Sequence, residues 1–150
     1  MIEIYTDGGC SGNPGPGGWA FIIIKDNSQI TVKWGAENHT TNNRMELMAA
    51  ISALEALRLL CAESSAAAEK VTVYTDSQYV QKGITLWIKD WKSRGWKTSG
   101  KGFVKNQELW QSLDVLAAGF SLNWVWIKGH AGNEFNERCD KLTQKAIASV

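Results

Sequence analysis

Ile2-Glu3-Ile4-Tyr5-Thr6-Asp7-Gly8 is echoed by Val71-Thr72-Val73-Tyr74-Thr75-Asp76-Ser77. Each run is short and β-rich, and each ends in Tyr-Thr-Asp followed by a small residue. Laid side by side as parallel strands, the two backbones stand about 4.8 Å apart. Asp7 and Asp76 then crowd together at one sheet edge. Like charges at that range repel, so one carboxyl takes a proton or a cation sits between them. Open α/β sheets place their ligands at the carboxyl ends of parallel strands. The competing reading makes Asp76 a turn former, or the cap of a helix that Ser77 opens. The echo by itself does not separate the two.

The flanking sequence shows how the echoed strands become neighbours. Residues 2–7 read as a strand, Trp19–Lys25 with its Phe21-Ile22-Ile23-Ile24 core as a second, and Gln29–Gly35 as a third. Short connections make these an antiparallel meander. Between the first two lies Gly8–Gly18, with six glycines and both prolines of the chain. It matches neither G-x-x-x-x-G-K-[ST] nor G-x-G-x-x-G, so it reads as a hairpin loop whose backbone can approach a ligand closely. Residues 43–61 switch to helical spacing through Met45, Met48, Ala49, Ser52, Leu54, Leu57 and Leu60. The Ala- and Ser-rich stretch Cys61–Lys70 either extends that helix or forms a loop.

Residues 70–76 are the fourth strand. Ser77–Lys82 and Thr85–Ser93 read as two short helices broken at Gly83, and Gly95–Val104 as a loop. Asn106–Ala118 is a helix with Leu109, Leu113 and Leu116 on one side. Phe120–Lys128 is the fifth strand. A last helix from about Asn133 buries Phe135, Cys139, Leu142 and Ala146. Helical crossovers allow strands one, four and five to be parallel, with two and three as an antiparallel edge. The expected fold class is α/β: a five-stranded mixed sheet flanked by helices on both faces.

A chain of 150 residues makes one domain that buries roughly 70% of its unfolded surface. Strand-like sequence begins at Ile2 with no charged leader, and no apolar run is long enough to span a bilayer. A soluble, cytoplasmic monomer is expected. Cys10, Cys61 and Cys139 are odd in number and contain no C-x-x-C pair, which argues against a disulfide framework or a zinc site.

Charge is distributed unevenly. Lys82, Lys89, Lys92, Arg94, Lys97, Lys101 and Lys105 face a single acid, Asp90, giving a local +6 in a chain of formal net charge +1. A basic stretch on an acidic body is the electrostatic footprint of a polyanion partner. Trp87, Trp91 and Trp96 interleave with these residues. They either dock the segment onto the body or stack on nucleic acid.

Four carboxylates are candidates for chemistry: Asp7 and Asp76 at strand ends, Glu46 early in the long helix, and Asp140 in the last helix. Glu46 also fits a capping box with Asn43, and Asp140 a pair with a nearby cation. Four acids able to converge on one edge are harder to explain as separate caps. All-oxygen ligands favour Mg²⁺ or Mn²⁺, and two such ions about 3.5–4 Å apart clamp the attacking and leaving oxygens of a phosphodiester. His130, between Gly129 and Ala131-Gly132, suits proton transfer near a leaving group; the alternative is an ordinary surface histidine.

Several blocks together resemble bacterial type 1 ribonuclease H. They are Tyr5-Thr6-Asp7-Gly8-Gly9-Cys10, Gly12-Asn13-Pro14-Gly15-Pro16-Gly17-Gly18, Thr41-Asn42-Asn43-Arg44-Met45-Glu46-Leu47, Thr75-Asp76-Ser77-Gln78-Tyr79-Val80, Lys128-Gly129-His130-Ala131-Gly132 and Asn136-Glu137-Arg138-Cys139-Asp140. They span essentially the whole chain. The resemblance implies the ribonuclease H-like fold and endonucleolytic cleavage of the RNA strand of RNA–DNA hybrids, leaving 5′-phosphate and 3′-hydroxyl ends. It implies two divalent ions, Mg²⁺ with Mn²⁺ able to substitute. Asp7 would be shared by both, Asp140 would serve the water-activating metal, and Glu46 and Asp76 the one at the leaving group.

By the same resemblance, Asn13, Asn42, Asn43, Gln78 and the Cys10 backbone contact the RNA strand, in part through the 2′-hydroxyls that mark RNA. Thr41 and Trp87 lie on the DNA side. The handle of about 82–105, with Lys89, Trp91, Lys92, Arg94, Trp96 and Lys97, grips the hybrid. No obligate protein partner or membrane is implied. Two departures stand out: His39 replaces a frequent arginine and Asp90 a frequent asparagine, which predicts a looser DNA-strand grip and a stronger need for low salt. Other expectations consistent with the fold are a non-catalytic hybrid-binding module, which would lack a carboxylate, and an exonuclease or strand-transfer enzyme, which would lack the handle.

Overall fold

Alternate residues of β1 (Ile2–Cys10) are apolar toward opposite sides, which suits a strand covered on both faces. The computed structural model describes residues 1–62, 69–100, 102–128 and 133–150. The stretch 63–68, Lys101 and residues 129–132 with His130 lie outside them, so the alternatives left open for 63–68 and for His130 are not addressed by the fold. β1 lies at the centre of a five-stranded sheet of order β3-β2-β1-β4-β5. The other strands are β2 (Gly15–Lys25), β3 (Ser28–Thr40), β4 (Lys70–Thr75) and β5 (Ser121–Trp126). β1–β2 and β2–β3 are antiparallel, while β1–β4 and β4–β5 are parallel.

The expected mixed sheet is present, with longer strands at its start. Gly8, Gly9 and Cys10 pair with Trp19, Gly18 and Gly17. Much of the glycine-rich stretch is therefore ladder, and only Ser11–Pro14 separates the two strands. Glycine serves helix packing there. A Cβ on Gly8 would sit 2.4 Å from the Met45 carbonyl carbon on one face, and a Cβ on Gly18 3.0 Å from the Ala146 Cβ on the other.

The two sheet faces carry separate clusters. Ile2, Ile4, Phe21 and Ile23 pack with Leu47, Ala50, Leu54 and Leu57 of α1 (Asn42–Ala62) and with Trp110 and Leu113 of α4 (Gln107–Ala117). Tyr5, Ile22 and Ile24 pack with Cys139, Phe135 and Leu142 of α5 (Glu134–Ala148). Each fully buried large apolar side chain stabilises the fold by about 1.5–3 kcal/mol. α1 is buried over more of its surface than one stripe, because it lies between the sheet and α4.

Gly83 does not break the helical run. α2 (Gln78–Lys82), a π-helical turn (Gly83–Trp87) and α3 (Ile88–Ser93) follow one another directly. The glycine is there for contact: a Cβ would lie 2.0 Å from Trp110 Cη2. Beyond α3 the chain turns at Gly95 and Trp96, both at positive φ, and a single bridge joins Lys97 to Phe103. All three cysteines are free thiols. Among the described residues no helix is long and apolar enough to cross a membrane.

Candidate active site

The echo is a true register match. Tyr5 pairs with Tyr74 and Thr6 with Thr75 across the parallel β1–β4 ladder. Asp7 and Asp76 follow one step later, just where the parallel β1–β4 pairing ends and β1 runs on against β2 alone. Asp76 does not cap α2, because Ser77 does: its Oγ accepts from Val80 N at 3.1 Å. The Asp76 backbone is held instead by Trp126, whose Nε1 donates to its carbonyl at 3.0 Å.

Glu46 is not part of a capping box either. Thr41 is the cap: Arg44 N donates to Thr41 Oγ1 at 3.3 Å and Met45 N to Thr41 O at 3.1 Å. Asn43 then lies inside the helix, and Glu46 sits just past its first turn, next to Gly8. Asp140 lies on α5, one turn before the buried Thr143. It makes no ion pair with another described residue. The capping explanations for Asp76 and Glu46 thus fall away, and so does an ion pair of Asp140 with another described residue.

The carboxylates act on one another. Burial, followed by the charge of Asp76, pushes the Asp7 carboxyl up to about 8; Thr143 offsets part of this, and Asp140 and Glu46 add to it. Burial pushes Glu46 up to about 7, with Ser77 offsetting and Asp76 adding. Such carboxyls either hold protons near neutral pH or gain from a cation. The donor set is all hard oxygen, which suits Mg²⁺ or Mn²⁺. Among the described residues no three acidic, histidine or cysteine side chains converge tightly enough to cage an ion alone.

Beside the acids is a polar corner. Asn13 Oδ1 accepts from Asn42 N at 3.2 Å, satisfying a free N–H at the start of α1. The Cys10 thiol donates to the carbonyls of Gly15 and Thr40 at 3.2 and 3.3 Å. Cys10 is thereby tied to the end of β3 and Asn13 to the start of α1, with Asn43 exposed on the next helical position. Gln78 is exposed at the start of α2, two residues after Asp76. His39, on β3, is also exposed.

The basic segment divides by role. Lys82, Lys89, Arg94, Lys97 and Lys105 are exposed, as is Asp90. Lys92 reaches back to Asp114 at 3.1 Å. Trp91 and Trp96 are half-buried: the Trp91 ring lies 5.3 Å from Trp110 and 6.4 Å from Trp96. These two dock the segment onto the body. Trp87, 36% exposed, is the tryptophan left available for stacking. Sequence reasoning did not pick out Thr143, Trp126 or the Tyr79–Asn106 contacts. Thr143 was findable, since it lies three residues after Asp140 on the same helix face; the others are tertiary.

The RNase H family profile matches residues 1–148. A ribonuclease H of Bradyrhizobium sp. (strain ORS 278) is 55% identical over 99% of this chain and 90% of its own. A ribonuclease H of Treponema denticola is 53% identical over 99% and 98%. Among solved structures, LC9-RNase H1, described as a type 1 enzyme with the type 2 active-site motif, superposes with a TM-score of 0.80 at 32% identity, over 99% of this chain and 72% of that one. LC11-RNase H1 in complex with an RNA/DNA hybrid gives 0.75 at 27%, over 99% and 98%. The chain belongs to the ribonuclease H family, in its bacterial type 1 branch.

Proposed function

We propose that the protein, a single catalytic domain over 1–150, hydrolyses the RNA strand of RNA–DNA hybrids endonucleolytically, giving 5′-phosphate and 3′-hydroxyl ends. The observation that carries this is the register match that brings Asp7 and Asp76 to one sheet edge, with Glu46 and Asp140 close enough to raise the Asp7 carboxyl. The hybrid held by LC11-RNase H1 supports the substrate class.

Asp7, Glu46, Asp76 and Asp140 would hold two Mg²⁺, or Mn²⁺ in its place, with Asp7 shared, Asp140 on the water side and Glu46 and Asp76 on the leaving-group side. Bound there, the ions supply Lewis-acid stabilisation of the attacking and leaving oxygens. The chain's own residues do the rest. Thr143 and Ser77 orient the Asp7 and Glu46 carboxyls. Asn13, Asn42, Asn43, Gln78 and the Cys10 backbone read the RNA strand, where the 2′-hydroxyl distinguishes it from DNA. Thr41 and Trp87 lie along the DNA strand.

The 82–105 segment is the handle, and its exposed Lys89, Arg94 and Lys97 neutralise phosphates. Trp91, Trp96 and the Asp114-bound Lys92 hold it in shape. His130 moves a proton near the leaving group. The protein acts as a cytoplasmic monomer, without an obligate protein partner.

The test is incubation with labelled hybrid, double-stranded RNA, double-stranded DNA and single strands, in Mg²⁺, Mn²⁺ or chelator. Cleavage confined to the hybrid RNA strand and lost in chelator is expected. Binding without cleavage in either metal would make the protein a hybrid-binding module.

A further inference from the structure

Three elements, α1, α2 and α4 with its capping residue, meet in one hydrogen-bond chain. Arg44 Nη1 donates to Asn106 Oδ1 at 3.1 Å and to Glu108 Oε1 at 2.6 Å. Asn106 Nδ2 donates to the Tyr79 hydroxyl at 3.2 Å. The same hydroxyl accepts from Trp110 Nε1 at 3.0 Å. A guanidinium only donates, so the amide oxygen of Asn106 must face Arg44 and its NH₂ must face Tyr79.

Asn106 stands just before α4, where asparagine ordinarily turns its side chain back to cap the helix. Here its backbone is left-handed, at φ 59° and ψ 31°, and its side chain makes no capping bond. The amide is directed sideways, across the gap between α1 and α2. A capping residue held in this region and turned away from its own helix is placed for another purpose.

What it joins defines that purpose. Arg44 follows Asn43 and lies two residues before Glu46; Tyr79 follows Gln78. The Tyr79 ring is edge-on to Trp87, with centroids 6.0 Å apart. One chain of contacts therefore runs from the element carrying Asn42 and Asn43, through the element carrying Gln78, to the exposed tryptophan of the handle. We propose that Asn106 is a positioning residue that fixes the distance between the RNA-strand contacts and Trp87, and so sets how well the site fits the hybrid relative to double-stranded RNA. The inference rests on the hybrid-nuclease reading above.

Asn106→Gly tests it, because glycine adopts positive φ readily and leaves the Arg44–Glu108 pair intact. Thermal stability is expected to stay close to that of the parent. KM for the hybrid is expected to rise about fivefold, the weight of one hydrogen bond, with kcat changed less than about twofold. Discrimination against double-stranded RNA in a competition assay is expected to narrow. Tyr79→Phe is expected to raise KM similarly, and the double variant to be no worse than Tyr79→Phe alone, since both remove one coupled unit. An unchanged KM in folded Asn106→Gly, or additive effects of the two changes, would overturn the inference. Failure of the unaltered protein to cleave hybrid would instead overturn the functional reading beneath it, so the two failures are distinguishable.

Discussion

Tyr5 and Tyr74, direct partners across the β1–β4 ladder, stack with ring centroids 4.8 Å apart and planes 13° from parallel. The stack holds the register that brings Asp7 and Asp76 level. Tyr5 is nearly buried and also packs on Phe135. Tyr5→Ala should destabilise the protein by about 3–5 kcal/mol, as for other buried aromatics, read by denaturant unfolding. A loss below about 1 kcal/mol would mean that the register does not depend on the stack.

The site carboxyls make stability depend on pH in a defined direction. Asp7 rises from an ordinary 3.8 to about 8 in the fold, and Glu46 from 4.5 to about 7. The folded state therefore holds protons that the unfolded chain releases. In chelator, stability should fall as pH rises from about 4 to about 8, on the order of a few kcal/mol in total. Asp7→Asn should remove much of that slope and be the more stable protein at pH 8 in chelator. Mg²⁺ should stabilise the parent more than the variant. Parallel pH profiles for the two proteins would contradict the crowding of charge at Asp7.

Gly83 tests how the handle is seated. Gly83→Ala places a methyl against the Trp110 ring, and Trp110 is fully buried. Overpacking there should cost about 1–3 kcal/mol and weaken hybrid binding through the displaced Trp87. Calorimetry and a binding titration check both. Unchanged stability would show that the π-helical turn yields without cost.

Asp90 and His39 are both exposed, and each sits where the family often places a group that favours a DNA phosphate. Asp90→Asn and His39→Arg should each tighten hybrid binding by about two- to fivefold, the scale of an exposed charge contact. The measurement is a salt titration of hybrid affinity. If neither change tightens binding at any salt concentration, the loose-grip account of the DNA strand fails.

The sheet was legible because its central pairing, though distant in sequence, is written as a repeat: the two Tyr-Thr-Asp runs align residue for residue in the observed register. The acids were legible as candidates, since their type and the convergence of their elements on one end of the β1–β4 ladder carry the chemistry. The errors arose where a short-range pattern met a tertiary contact. Asn43 and Glu46 have capping-box spacing, but the helix starts two residues earlier, with the Thr41 hydroxyl as its cap. Gly83 reads as a breaker, yet it exists because Trp110 presses on it. The glycine-rich stretch reads as loop, while half of it is ladder thinned for α1 and α5. Asn106 meets Arg44 and Tyr79 across 62 and 27 residues of sequence, and no local pattern reports such distances.

The most direct test of the central claim compares the parent with Asp7→Asn on a labelled RNA–DNA hybrid in Mg²⁺, measuring both cleavage and binding. Asp7 is raised further than Glu46 and is the carboxylate assigned to both ions. The account predicts that Asp7→Asn abolishes cleavage while hybrid affinity stays within about threefold of the parent, since the handle and the RNA-strand contacts are untouched. Retained cleavage by the variant would contradict it.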